Sequence, residues 1–349
     1  MALSRSLPLS VLDVVPVVSG STPAQAVRNT LDLARRAEEL NYHRYWLAEH
    51  HSMPGIASSA TSILIGQVGA ATTSIRVGSG GIMLPNHAPL IIAEQFGTLG
   101  ALFPGRVDLG IGRAPGTDSA TAQALRRSSG PVSADDFPAQ LAELVAFLGN
   151  SFPASHPLRT VTAVPHGETP PVWLLGSSGY SAQLAGYLGL PFAFAHHFSA
   201  VNTLPALALY RSAFRPAPGR EQPYAMVAAA VICADTDETA QWLAGPTQLT
   251  MLRLRQGRPD VFPTPEQAAA YPWTPAERAA ADGAAASHIV GSPDTVRASL
   301  DALIDATEAD EIMIVTNVHP HDARIRSYEL IAEFAGLPGL PAPREPLSA

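Results

Sequence analysis

The sequence predicts an α/β fold: an eight-fold (β/α)8 TIM barrel with an insertion after its seventh strand. Three observations predict it. Eight short apolar runs recur along the chain, and most are followed by a segment that opens with helix-start signals. Several runs are nearly continuous in Val, Ile, Leu, Ala or Phe, as strands buried on both faces of a parallel sheet must be. The length of 349 residues exceeds the roughly 250 of a minimal barrel but lies within its range once insertions are counted. A doubly wound open sheet is the alternative. It is weakened because no Gly-x-Gly-x-x-Gly turn follows the first run, which ends Asp13-Val14-Val15-Pro16.

The runs are Leu9–Pro16, His43–Ala48, Ile75–Met83, Arg106–Gly112, Pro171–Leu175, Pro191–His197, Tyr224–Cys233 and Glu311–Val318. Between the first two, Thr22-Pro23-Ala24-Gln25 reads as a capping box with proline at the first helical position, and Ala26, Val27, Leu31, Ala34 and Leu40 form an apolar stripe. Ser133 starts a second such helix, with Phe137, Leu141, Leu144, Val145 and Leu148 facing inward. Ser292-Pro293-Asp294 starts another, with Val296, Leu300, Leu303 and Ile304 inward. The segment Gly245–Ser287 breaks the alternation with prolines at 246, 259, 263, 265, 272 and 275. On the strand-carboxyl side of a barrel it reads either as a lid over the site or as a packed helical excursion or dimer contact. The whole of 1–349 is expected to form a single domain.

Composition removes several chemistries. All 22 cationic side chains are arginine, and lysine is absent. That excludes Schiff-base chemistry, a lysine-anchored pyridoxal cofactor and a Walker-type phosphate loop. Cys233 is the single cysteine, so no intrachain disulfide or cysteine metal cluster exists, and its place in an apolar run marks it as a small core residue. The formal net charge of −8 carries no basic concentration of the kind that nucleic acid or a membrane surface requires. Asp13 and Pro16 interrupt the first apolar stretch and spoil a signal peptide, and no run is long enough to span a membrane, so a cytoplasmic location is expected.

Chemistry-bearing residues collect at strand ends, which in a barrel face the active site. Glu49-His50-His51 ends the second strand; a histidine there can move a proton near neutral pH and the glutamate can fix its tautomer, although a structural histidine pair is the competing explanation. Gly78, Gly80 and Gly81 thin the third strand, either to admit a flat ring against bare backbone or to form a bulge. Arg113, in Gly110–Gly116, aims a permanent cation into the mouth, unless a surface ion pair claims it. Gly176-Ser177-Ser178-Gly179-Tyr180-Ser181 precedes a helix and reads as an anion cradle, with an ordinary capped turn as the plainer explanation. His196-His197 after the sixth strand, and Asn317, His319 and His321 after the eighth, raise a metal site. The first strand lacks the His-x-His of metal-dependent hydrolase barrels, and a carbamylated lysine is unavailable, so no metal ligand is assigned.

Together, Ala48–His51, Gly78–Gly81 with Met83–Pro89, Gly105–Ala114, Gly176–Tyr180, Ile289–Pro293 and Arg326–Leu330 resemble the bacterial luciferase-like monooxygenase family, in particular its luciferase-family flavin-dependent oxidoreductases. The resemblance runs from about residue 8 to 335. It implies flavin mononucleotide (FMN), with the phosphate held by Arg113 and by the loop Gly176, Ser177, Ser178, Gly179 and Tyr180. It implies that the isoalloxazine ring lies against Ser79, Gly80 and Gly81, with a non-prolyl cis peptide near Ser79–Gly80. It assigns the catalytic histidine to His50, with Glu49 as its orienter and His51 beside them. Reduced FMN from a separate flavin reductase would react with O2 and oxidise a small organic substrate, in a homodimer. Deazaflavin-dependent hydride transfer is the alternative within the family; a non-catalytic flavin-binding protein and a metal-dependent hydrolase are alternatives outside it. Some light-emitting members place lysines in the insertion; their absence here argues against bioluminescence.

Overall fold

A computed structural model describes residues 3–114, 117–126, 136–165 and 168–337. Nine strands run in parallel: β1 (Leu9–Asp13), β2 (Arg44–Leu47), β3 (Arg76–Met83), β4 (Val107–Gly112), β5 (Val172–Gly176), β6 (Phe192–Ala195), β7 (Ala225–Cys233), β8 (Ile289–Gly291) and β9 (Glu311–Val315). Eight of them close a barrel in the order β1 to β7 and then β9, which returns to β1. Registers such as Leu12↔Trp46, Phe194↔Val227 and Ala228↔Met313 fix the wall. The short β8 stands outside the ring, paired with the far end of β7 at Val231↔Ile289. The fold is therefore a (β/α)8 barrel.

Strand side chains alternate, so inward positions repeat every second residue. At the amino end of the barrel the inward positions are polar. Arg44 donates to Glu311 at 2.8 Å and to Asp108 at 2.8 Å; Arg76 pairs with Asp108 at 2.6 Å, and Tyr224 and Ser10 donate to Glu311. The charges plug the barrel with every carboxylate partnered, the condition under which buried ions are tolerated. Two residues further along, the inward layer is apolar: Leu12, Trp46, Ala193, Met226, Ala228 and Met313 form one cluster with Trp173. The third layer opens into the site.

The helices cover the outside. They are α1 (Pro23–Glu39), α2 (Thr61–Ala71), α3 (Pro89–Leu102), α4 (Ser119–Arg126), α5 (Phe137–Gly149), α6 (Gly179–Tyr187), α7 (His196–Ser199), α8 (Thr203–Ala213), α9 (Asp237–Arg255), α10 (Pro265–Ala269), α11 (Pro275–Ala285), α12 (Pro293–Thr307) and α13 (His321–Ala335). Thr22 accepts from the Gln25 amide as the spacing predicts. Ser292 makes no side-chain cap bond; the Ser292 amide donates to Asp237. The expected start at Ser133 lies outside the described residues. In α5, Val145 is exposed and Phe147 takes its buried place, one 3.6-residue step from Leu144. Three strands stop two or more residues earlier than their apolar runs. The β1 strand ends at Asp13 because its carboxylate folds back onto the Val15 amide and Val15 turns left-handed at φ 54. In β6 the run ends at Ala195, and His196 and His197 open α7. The β9 strand ends at Val315, after which the Thr316 hydroxyl bonds the Val231 carbonyl.

The segment 245–287 begins inside α9, which runs through Gly245 and Pro246. Its helices pack on one another through Leu249, Leu252 and Ala268, with Tyr271 and Trp273 alongside. Thr264 and Thr274 start α10 and α11 with complete capping boxes. Among the described residues, no helix is long and apolar enough to cross a membrane.

Candidate active site

The carboxyl ends of the strands surround a cavity of about 370 Å³. The inward parity set in the barrel carries straight into its wall. Trp46 on β2 and Ala48 directly after it lead to His50; Ala193 and Ala195 on β6 lead to His197 in α7; Met313 and Val315 on β9 lead to Asn317. All nine of these side chains line the cavity, whereas Glu49 and His51, at outward positions, do not. Local alternation has sorted three adjacent polar residues to two sides of the wall.

One end of the cavity is built for an anion. Arg113, directly after β4, and Ser177 and Ser178, directly after β5, line the same space, together with Gly176. Ser178 is the N-cap of α6 in extended conformation, yet its hydroxyl makes no cap bond, so the loop is not an ordinary capped turn. The first amides of α6 supply further donors and positive potential. Arg113 forms no ion pair with a carboxylate among the described residues; its guanidinium stacks on the Tyr180 ring. Among the described residues, no aspartate or glutamate lines the cavity. The donor set therefore fits a phosphate. Gly179 and Tyr180 do not line the cavity; Tyr180 meets this end of it through Arg113.

Next to it, Gly80 and Gly81 present bare backbone to the cavity. The non-prolyl cis peptide lies between them, one residue beyond the expected Ser79–Gly80. A Cβ on Gly80 would meet Leu12 at 2.6 Å, and one on Gly81 would meet the Gly110 carbonyl at 2.9 Å. Ser79 is not in the cavity. It is fully buried, donating to the Gly110 carbonyl at 2.9 Å and accepting from the Gly110 amide at 3.0 Å, which ties β3 to β4. Leu12, Trp46, Met83 and Leu175 complete an apolar slot that fits a flat aromatic ring.

Behind His50, Glu49 is committed to four partners: His51 at 2.9 Å, His87 at 2.9 Å, Asn86 at 3.2 Å and the Met83 amide at 3.0 Å. Burial alone would raise its carboxyl, but the bonds from His87, His51 and Met83 overcome that and hold it below its ordinary value. Glu49 thus ties the β2 end, which carries His50, to the β3 end, and its orienting bonds go to the rings of His51 and His87. Ligand atoms of Glu49, His51 and His87 lie within 4.8 Å of one another, a spacing that a metal ion also fits. The strand-end histidines weighed for a metal site go separate ways: His196 to Thr203, His197 to the Ala228 carbonyl, His319 to Ser19 and His321 to Asp32.

A luciferase-like monooxygenase model matches residues 9–310. The chain belongs to the luciferase-like monooxygenase family. Within it, the chain is 50% identical over 328 residues to the luciferase-like monooxygenase of Escherichia coli, covering 93% of this chain and 96% of that one. It is 34% identical over 329 residues to the N-acetyl-S-alkylcysteine monooxygenase of Bacillus subtilis, covering 93% and 97%. The crystal structure of apo-MsnO8 is similar with a TM-score of 0.87 and 39% identity, covering 96% and 100%. At the level of fold alone, two similar barrels are solved with flavin-type cofactors. One is the oxygenating constituent of a Pseudomonas putida Baeyer-Villiger monooxygenase with FMN (TM-score 0.69, 20% identity), the other an F420-dependent secondary alcohol dehydrogenase (TM-score 0.61, 14% identity).

Two features of this luciferase-like site escape the sequence reading. His87, held by Glu49, sits in a run quoted only for its resemblance; no period or cap marks it as a partner. His288 lines the cavity from the junction between α11 and β8, a strand too short at three residues to register as an apolar run. Asn317 is legible as a strand-end residue two positions beyond Val315, whereas His197 reaches the cavity from α7, which strand parity does not foresee.

Proposed function

We propose that the protein is a flavin-dependent monooxygenase that uses reduced FMN and O2 to oxidise a small organic substrate. The observation that carries this reading is the convergence of Arg113, Ser177 and Ser178, the bare Gly80–Gly81 backbone and His50 on one cavity. Arg113 and the two serines would hold the phosphate by charge-assisted bonds, and Gly80–Gly81 with Leu12 and Trp46 would seat the ring. When bound, the reduced flavin supplies the electrons that activate oxygen.

The chain's own residues do the rest. His50 faces the cavity and holds or moves the proton at the reacting centre. Glu49 acts one step back, fixing the two strand ends that set the position of His50. Thr247 and Met251 of α9 line the cavity and would help to exclude water from it. The sequence has no feature that reads as a dinucleotide site, which supports a separate reductase as the source of reduced flavin, and the family resemblance implies a homodimer. The name of the 34%-identical Bacillus subtilis relative, which oxygenates an S-alkylcysteine derivative, favours oxygen chemistry over hydride transfer.

The test supplies reduced FMN from an unrelated reductase together with labelled oxygen and a panel of thioethers, ketones and aldehydes. The expected result is a product carrying one labelled oxygen atom per reduced FMN consumed, lost in His50→Ala. Conversion of all oxygen to hydrogen peroxide with every substrate would overturn the reading. Turnover with reduced deazaflavin and no oxygen uptake would replace it with hydride transfer.

A further inference from the structure

The cavity wall opposite the glycine pair carries polar groups that the flavin reading leaves unused. His197, at the end of β6, lines the cavity and is 8% exposed. Its Nδ1 lies 2.9 Å from the Ala228 carbonyl. A carbonyl only accepts, so Nδ1 carries the proton. Burial holds the ring's pKa down to about 4, so at neutral pH the imidazole is uncharged and Nε2 is a bare acceptor. Asn317, after β9, lines the same cavity, and its side-chain oxygen is buried with no hydrogen-bond partner among the described residues. The Thr247 hydroxyl cannot relieve it, because that proton goes to the Asn317 backbone carbonyl at 3.2 Å. Buried polar atoms without partners are uncommon in folded proteins and call for an explanation.

Ala195, Ala230, Val315 and Met251 add apolar surface to the lining, beside two further polar members, Thr247 and His288, each of which already spends a hydrogen bond on the backbone of Asn317 or His197. The only charged side chain lining the cavity, among the described residues, is Arg113, which the proposed function assigns to the phosphate. A carboxylate substrate would therefore meet acceptors with no counter-charge, and an ammonium substrate would find no carboxylate.

We propose that His197 and Asn317 select the substrate: a neutral, mainly apolar molecule bearing one N–H or O–H donor that their acceptor atoms take up. The claim rests on the flavin reading for the place of the substrate. A ligand donor would relieve Asn317, and its alkyl body would fill the apolar wall.

Three eight-carbon probes test this by calorimetry on the FMN-loaded protein: octanamide, N,N-dimethyloctanamide and octanoate. FMN affinity is measured separately in the wild type, His197→Phe and Asn317→Leu. Octanamide should bind at least tenfold more tightly than either other probe, and each variant should bring octanamide to within about threefold of the dimethyl amide while FMN affinity stays unchanged. Equal binding of the three probes by the wild type, or no binding of any, would overturn the proposal, as would loss of FMN from both variants, which would assign the wall to the flavin. Failure of the wild type to bind FMN would strike the flavin reading instead; the probe comparison would then be made on the flavin-free chain and judged by the same ratio. The wild-type ratio needs no variant to fold.

Discussion

The Arg113 guanidinium lies over the Tyr180 ring, 4.3 Å from its centroid. The two residues come from different units of the barrel, one after β4 and the other in the first turn of α6. Their stacking fixes a long, flexible cation at the cavity rim without neutralising it, which a carboxylate partner would do.

Tyr180→Ala removes that support. A cation–π contact at a half-exposed site is worth about 0.5–1 kcal/mol, so FMN binding should weaken by about two- to fivefold with little change in unfolding midpoint. Fluorescence titration and urea unfolding read the two effects. A drop in stability with unchanged affinity would show that the stack serves the fold.

Glu49→Gln should cost about 1–3 kcal/mol at neutral pH, since a neutral amide cannot accept from two imidazoles, an asparagine and a backbone amide as the carboxylate does. The folded carboxyl lies below its ordinary 4.5. Its contribution is therefore complete above pH 4.5 and drains away as the pH falls from there through the folded value. Denaturant melts should show the wild type's advantage over the variant shrinking below pH 4.5; an advantage independent of pH would contradict the assignment.

His197 gives a window of the same sign at higher pH. An unfolded histidine takes up its proton near 6.5, whereas the buried ring resists it until about 4. The unfolded chain binds more protons between those values, so stability rises with pH across the window, by about 3 kcal/mol at most. His197→Phe should flatten the stability profile between pH 4 and 6.5. A profile as steep as the wild type's would mean that other groups dominate.

Arg44→Met strips Glu311 and Asp108 of their shared cation in the buried amino-terminal layer. The expected loss is about 3–5 kcal/mol, because uncompensated buried charge is costly. The double variant Arg44→Met with Glu311→Leu should be less destabilised than the single one, since Asp108 keeps Arg76. Urea unfolding compares them, and a double variant weaker than the single one would sink this account of the layer.

Barrel strands were legible because burial on both faces leaves them apolar from end to end, as in Ala225–Cys233. Their ends were less so. Val318 extends the apolar run past the true end of β9, where the Thr316 amide donates to the Tyr328 hydroxyl and its carbonyl accepts from Arg324, tertiary partners that take the groups a continuing strand would use. His50 and Arg113 were legible as strand-end residues. The division of labour between neighbours was not: Glu49 turns away from the cavity by parity, and the choice of His87 as its partner depends on a contact across 38 positions of sequence. Ser79 was read as part of the ring-binding strand because sequence shows a small residue among glycines, not that its hydroxyl faces β4.

The most direct test of a phosphate seat formed by Arg113, Ser177 and Ser178 compares FMN with riboflavin, which differs only in lacking the phosphate, by quenching of flavin fluorescence. Two charge-assisted hydrogen bonds at this seat correspond to about 100-fold tighter binding of FMN by the wild type, falling to less than about tenfold in Arg113→Ala. Equal affinity of the wild type for FMN and riboflavin would contradict the account.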